Sequence, residues 1–502
     1  MRPSNASPKI GLNLVCISAA IAICSPLASS ADYNGLAKTP PMGWNNFNWF
    51  RGLTTESQVK AIVDSMVSSG LRDAGYVYVN LDDGWMEPDR DSDGNIQTDT
   101  SQYPDGMKAL TDYIHARGMK AGTYLCDGPT TFEDLPGSLG HEEKDARTIA
   151  SYGFDLLKYD YRNDGDSARD PKPENIRMSN ELKKTGRPIL FSMCDHGTSA
   201  PWTWAAKYAN MWRVEMDIKD QWDGALYGGW GFNDIVDSMA GLESSSGPGH
   251  WNDPDILLVG LHGQSWWMGP GCTDLEYRSH FSLWCLMAAP LLLGNDPSNM
   301  TEATKRILLN AEMIAVDQDS LGIQGKRVKS SDGYDVWVKP LRDNSWAVGL
   351  YNRTDAPARM SVDWHQIGIA SSTRAWLRDL WAKSDIIGAS GDGSFTDSYS
   401  RNVASHECAV VRVTTNATTS IRNAAPEANS PWLQILRSPR GITFRCTEVC
   451  DELSLIRTNG QSIPLSEAPV AFLPYGKVAP GVYMLRALGP AGSHVEKVLI
   501  DR

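Results

Sequence analysis

The sequence predicts an α/β protein: a (β/α)8 TIM barrel followed by an antiparallel β sandwich and a small C-terminal β module. Three observations carry this. Between Pro41 and about Lys329, short apolar runs alternate with longer amphipathic stretches, the pattern of strand–helix units in a parallel sheet. Closure into a barrel is the common solution for such a run at ~250–300 residues. Beyond Lys329 the chain changes to short alternating apolar and polar runs broken by Asp, Asn, Gly and Ser, as in a sandwich. At 502 residues the chain is also too long for one ordinary domain.

The barrel elements follow in order. The first unit holds Gly43-Trp44-Asn45. Strands are then expected at Tyr76–Leu81, Lys120–Cys126, Phe154–Tyr159, Ile189–Cys194, Met211–Arg213, Ile256–Val259 and Pro290–Leu293. Helices are expected at Thr55–Ser69, Gly106–Ala116, Glu142–Tyr152, Asn175–Lys184 and Glu276–Ala288. Sandwich strands are read at Tyr334–Val338, Trp346–Leu350, Arg374–Asp379 and Ala409–Val413. The division is 1–31 signal, 32–329 barrel, 330–414 sandwich, 415–430 linker rich in Thr, Asn, Ala and Ser, and 431–502 β-rich module of unknown role.

Residues 1–31 read as a secretory signal: Arg2 and Lys9, an apolar run from Leu12 to Cys24, and small residues up to Ala31. The expected location is therefore secreted or periplasmic. No run reaches the ~20 apolar residues of a membrane span. A net charge of −13 disfavours nucleic acid and anionic membranes and suits a neutral ligand. Eighteen Trp against ten Phe supply flat faces on which sugar C–H groups pack. Seven cysteines lie beyond the signal, an odd number; Cys446 and Cys450 are close enough to pair. No spacing resembles a zinc site, and no metal or cofactor is expected.

In a parallel barrel, functional residues gather where strands end. The strand ends carry Asp82 and Asp83, Tyr124, Lys158 and Asp160, Cys194-Asp195-His196, Arg213 with Asp217, and Asp255; Trp44 stands in the first unit. Any one of these has a plain alternative, as a cap, a loop ion pair or a core residue. Their convergence on one barrel end suits glycoside hydrolysis. The retaining route uses two carboxyls on opposite sides of the scissile bond, ~5–5.5 Å apart. A lysine near the nucleophile keeps it ionised, and an acid in a less polar loop keeps its proton.

The motifs Pro40-Pro41-Met42-Gly43-Trp44-Asn45, Leu81-Asp82-Asp83-Gly84-Trp85, Leu156-Leu157-Lys158-Tyr159-Asp160, Trp212-Arg213 to Asp217-Ile218, and Trp251-Asn252-Asp253-Pro254-Asp255 resemble glycoside hydrolase family 27. So do Met287–Leu291, Gly294-Asn295-Asp296 and Ala315–Gly322. The resemblance spans residues 38 to 413. It implies retention, with Asp160 as nucleophile and Asp217 as acid/base. It also implies a sugar subsite of Trp44, Asp82, Asp83, Tyr124, Lys158, Arg213 and Asp255, with Cys194, Asp195 and His196 on the 2-hydroxyl side.

The family contains α-galactosidases, α-N-acetylgalactosaminidases, β-L-arabinopyranosidases and isomaltodextranases. Terminal α-linked galactose on an oligo- or polysaccharide is the expected substrate. The alternatives are an isomaltodextranase-like α-glucan hydrolase, a β-L-arabinopyranosidase, and a non-catalytic sugar-binding relative. Three departures mark the chain. Gly52 and Gly84, and again Phe132 and Arg162, stand where the family commonly has cysteines that pair beside the site. Cys194-Asp195-His196-Gly197 replaces Cys-Glu-Trp-Gly. The tail beyond Thr414 is not covered; it faintly resembles bacterial sorting or anchoring modules, and a sugar-binding accessory role is the competing idea.

Overall fold

The computed structural model describes residues 33–163, 165–166 and 168–415, and the strands found between residues 433 and 500. The expected signal, most of the expected linker and the Cys446–Cys450 pairing lie outside the described residues.

Eight strands form one parallel sheet: β1 (Met42–Asn45), β2 (Tyr78–Asn80), β3 (Lys120–Cys126), β4 (Leu156–Asp160), β5 (Leu190–Cys194), β6 (Met211–Arg213), β7 (Trp251–Asp253) and β8 (Leu291–Leu293). Their order is β7-β6-β5-β4-β3-β2-β1-β8. The segment that follows β7 reaches the other edge strand, β8, through a parallel bridge between Leu257 and Leu293. This corrects the seventh expected strand. Trp251–Asp253, not Ile256–Val259, pairs with β6. The chain then turns at Pro254 and at Asp255, whose φ is +82°, and only Leu257 of the apolar run reaches β8.

Helices α1 (Glu56–Ser68), α2 (Gly106–His115), α3 (Glu142–Tyr152), α4 (Lys172–Lys184), α5 (Phe232–Met239) and α6 (Asp274–Met287) alternate with the strands. Their starts are legible chemistry. Thr55 and Gln58 form a capping box on α1, as do Thr273 and Glu276 on α6, satisfying backbone N–H groups that have no partner within the helix. Helix α6 is buried along most of its length, Phe281 to Met287 without interruption, because the sandwich covers the face that a barrel helix usually shows to water.

That sandwich pairs a six-stranded antiparallel sheet, which includes β9 (Tyr334–Pro340), β10 (Trp346–Asn352) and β11 (Cys408–Thr414), with a two-stranded one. Its own core contains Val348, Leu350, Trp364 and Val411. It is bound to the barrel by polar contacts, Tyr351 Oη donating to Asn233 Oδ1 at 2.7 Å and Ser279 Oγ to the His406 carbonyl at 2.7 Å. In the C-terminal segment, the strands between Leu433 and Ile500 form a three-stranded and a four-stranded antiparallel sheet. Among the described residues, no helix is long and apolar enough to cross a membrane.

Candidate active site

The C-terminal ends of the barrel strands open into a pocket of about 480 Å³. Its floor is built by β2 and β4. Asp82 and Asp83 follow β2; Lys158 and Asp160 lie two apart on β4, so their side chains leave the same face of the sheet. Lys158 Nζ donates to Asp82 Oδ2 at 2.8 Å and lies 3.9 Å from Asp160 Oδ2. Its first partner is thus Asp82, with Asp160 second. Asn45 Nδ2 also donates to Asp82 Oδ2, at 2.7 Å. Asp83 is buried, takes the Glu133 backbone N–H at 2.9 Å, and burial pushes its carboxyl up to about 7. Asp83 Oδ1 and Tyr124 Oη are buried and have no partner among the described residues. Buried polar atoms without partners are costly, and here they edge a pocket where a hydroxylated ligand would satisfy them.

The other wall comes from β6 and the residues after β7. Arg213 Nη2 donates to Asp217 Oδ1 at 3.1 Å and lies 3.0 Å from Asp255 Oδ2. Asp255 is locked at positive φ while its Oδ2 accepts the Ile218 N–H at 2.9 Å. A non-glycine residue held there signals a position fixed by its surroundings. Burial tends to raise Asp217, but the Arg213 guanidinium, His196 and Lys158 together outweigh it and hold the carboxyl well below the usual carboxylate range. The expectation of a less polar loop around Asp217 is corrected: its side chain is about half exposed at the pocket mouth and faces a guanidinium.

Asp160 and Asp217 meet at one atom. His196 Nε2 lies 3.4 Å from Asp160 Oδ1 and 3.8 Å from Asp217 Oδ1. The separation this allows includes the ~5–5.5 Å of a retaining pair. Asp160 Oδ1 also accepts the Tyr161 N–H at 3.0 Å.

Asp82, Asp83, Tyr124, Lys158, Asp160, His196, Arg213, Asp217 and Asp255 all line this pocket. Three expected residues do not. Trp44 is fully buried and its Nε1 donates to the Asn295 carbonyl at 2.8 Å; it lies on the face of β1 opposite the pocket-lining Asn45, in the core that also holds Val59 and Ile62 of α1, because alternate residues of a strand take opposite faces. Asp195 is buried and folds back on its own loop, accepting the N–H groups of Gly197 and Ser199. Cys194 lies beneath His196, its Sγ 3.6 Å from Nε2. Residues unforeseen from the sequence also line the pocket: Phe47, Tyr227, Trp267 and Lys219. Phe47 packs edge-on to Trp267 with ring centroids 5.5 Å apart. The signal for Phe47 was its place just past the end of β1, in a one-turn helix that carries it over the mouth. Tyr227 and Trp267 lie on excursions with no strand-end register to mark them.

The departures from the cysteine pattern have structural counterparts. A Cβ built on Gly84 would come within 2.4 Å of Gly52 Cα, so the two backbones approach closely and glycine at 84 permits it. The Arg162 guanidinium stands 5.7 Å from the Phe132 ring centroid, a cation–π contact. Both substituted pairs are therefore neighbours in space, and the second gives the pocket wall an aromatic surface. Cys126, Cys194, Cys272, Cys285 and Cys408 are free.

Comparison with known proteins places this architecture. The family described as Alpha galactosidase A matches residues 39–319, and the Alpha galactosidase C-terminal beta sandwich domain matches residues 331–413. An α-galactosidase of Oryza sativa subsp. japonica is 44% identical over 384 residues, 76% of this chain and 86% of its own. Alpha-galactosidase A of Cellvibrio japonicus is 41% identical over 387 residues, covering 74% and 92%. The crystal structure of α-galactosidase I from Mortierella vinacea superposes with a TM-score of 0.71 at 34% identity, over 76% of this chain and 99% of that one. A β-L-arabinopyranosidase from Geobacillus stearothermophilus, 23% identical with a TM-score of 0.67, shares the fold. Barrel, sandwich and the strand-end carboxylates together make the chain a member of the α-galactosidase family, glycoside hydrolase family 27.

Proposed function

We propose that the protein is a retaining exo-α-galactosidase in which Asp160 is the nucleophile and Asp217 the acid/base. The observation that carries this reading is the convergence of the Asp160 and Asp217 carboxylates on His196 Nε2, beside a closed floor of Asp82, Asp83 and Lys158. A terminal sugar enters with its ring hydroxyls on Asp82, Asp83, Lys158 and Tyr124, and its anomeric carbon turned toward Asp160. Both aspartates of the Asp82–Asp83 pair, and the unsatisfied Tyr124 Oη, suit the polar edge of galactose. The closed floor favours a chain end over a chain interior.

Asp160 attacks the anomeric carbon, and the glycosidic oxygen leaves with the proton of Asp217. A covalent glycosyl–Asp160 ester remains. Asp217, now a carboxylate, takes a proton from water, and that water releases the sugar with its configuration kept. Because Arg213 holds Asp217 low in the resting site, the acid form is favoured only as pH falls. The basic limb of kcat/KM, which reports the free enzyme, is therefore expected on the acid side of neutrality. The apolar run Leu12–Cys24 supports export from the cytoplasm.

The test is hydrolysis of nitrophenyl α-galactoside against release of isomaltose from dextran. Rapid release of nitrophenol with no isomaltose is the expected result. The reverse pattern would assign the same carboxylates to an α-glucan, and loss of both in a folded protein would assign the pocket to binding alone.

A further inference from the structure

No cysteine or histidine spacing in the chain resembles a zinc site, yet the fold brings a thiol, an imidazole and a carboxylate to one point. Cys194 is the last residue of β5, and Asp160, the last of β4, is its register partner. His196 follows two residues on, at φ +53°, a left-handed turn that returns its ring over the strand end. Its Nε2 lies 3.6 Å from Cys194 Sγ and 3.4 Å from Asp160 Oδ1. One ligand atom from each of the three residues lies within 4.8 Å of the others. Tetrahedral zinc, with bonds of ~2.3 Å to sulfur and ~2.0–2.1 Å to nitrogen and oxygen, places sulfur and nitrogen about 3.6 Å apart and nitrogen and oxygen about 3.4 Å apart. The two distances to Nε2 match without movement of any side chain.

We propose that Asp160, Cys194 and His196 form a binding site for a thiophilic divalent cation such as zinc, and that occupancy switches the pocket off by sequestering Asp160. Water or Asp217 Oδ1, 3.8 Å from the same imidazole nitrogen, supplies the fourth position. The neighbouring cations do not block it. Lys158 is already paired with Asp82, and Arg213 with Asp217 and Asp255. Arg213 Nη1 also faces Cys194 Sγ at 3.5 Å, so the sulfur already holds a polar contact at the strand end. On binding, a metal–sulfur bond forms and the thiol proton leaves to solvent. The inhibitory consequence rests on the nucleophile assigned above; the binding itself does not.

The test titrates the full-length protein with cobalt(II) chloride, whose thiolate complexes absorb through sulfur-to-metal charge transfer. The site predicts such a band saturating at one cobalt per chain, displaced by zinc. Cys194→Ser abolishes it, and His196→Gln weakens cobalt binding by at least about tenfold. His196→Gln alone decides the matter if Cys194→Ser does not fold. Zinc chloride is expected to raise the apparent KM for nitrophenyl α-galactoside while leaving kcat unchanged, with full recovery on chelation. Absence of a band, or a band that survives Cys194→Ser, overturns the site. Inhibition that lowers kcat and leaves KM unchanged overturns the claim that metal and sugar share one position. A band with the expected variant pattern in a protein that cleaves no galactoside upholds the metal site and removes the proposed function.

Discussion

The two sides of this pocket use the same residue type to opposite effect. On the floor, Asp83 is closed off from water, and burial lifts its carboxyl to about 7. At the mouth, Asp217 faces Arg213 at 3.1 Å and is held well below the usual range. Burial acts upward on both, but at Asp217 a set of cations led by the Arg213 guanidinium at contact distance reverses the outcome, and no such set acts on Asp83. The floor therefore presents a fixed hydrogen-bonding surface with unsatisfied atoms, suited to holding a sugar. The mouth presents a carboxyl held ionised at rest, the form that takes a proton from water in the second displacement.

Substitutions can break this contrast, and the largest effect belongs to the atom both sides serve. Asp160→Asn is expected to lower kcat by at least ~10³-fold, because an amide cannot form the ester intermediate. Substantial turnover by that variant, measured on nitrophenyl α-galactoside, would separate Asp160 from the chemistry. Asp217→Asn should cost ~10²–10⁴-fold on a natural galactoside that needs protonation of its leaving group. The loss should be far smaller with a nitrophenyl leaving group, and equal losses on both substrates would remove Asp217 from the acid role.

On the floor the expected effects are smaller. Tyr124→Phe removes one hydrogen bond to the sugar and should reduce kcat/KM by up to about tenfold, with melting temperature unchanged or raised, because a buried unpartnered hydroxyl is lost. Asp83 sharpens the comparison through pH. Its folded pKa of about 7 lies above the ordinary 3.8, so the folded state holds the proton more tightly than the unfolded one. Its contribution to stability is present at low pH and is lost as pH rises from about 4 through about 7, at no more than ~1.4 kcal/mol per pH unit. Asp83→Asn should flatten the fall in melting temperature between pH 5 and pH 8, and an unchanged slope would contradict the buried, neutral Asp83.

Much of this was legible in the sequence, for reasons that also explain the rest. Strand ends in a parallel barrel share one face, so Asp82, Asp83, Lys158, Asp160, Arg213 and Asp255 could be gathered before any geometry was known. Choosing Asp160 and Asp217 among them took the family motifs, since strand-end position treats all the carboxylates alike. Trp44 was misplaced because strand period decides facing, and a single residue's shift exchanges pocket for core. The seventh strand was misplaced because Ile256–Val259 is the more apolar run, whereas the pairing segment Trp251–Asp253 is short and polar. The contact of Arg213 with Asp217, four residues apart around a turn, has no sequence period to announce it. The same holds for the meeting of Cys194, His196 and Asp160, which a spacing search along the chain passes over.

The stereochemistry of the first-released sugar tests the assignment of Asp160 and Asp217 most directly. Followed by NMR in the first moments of nitrophenyl α-galactoside hydrolysis, α-galactose should appear first and then mutarotate toward the equilibrium mixture. First appearance of β-galactose would mean that water attacks in a single displacement, and would contradict Asp160 as a nucleophile that forms a covalent intermediate.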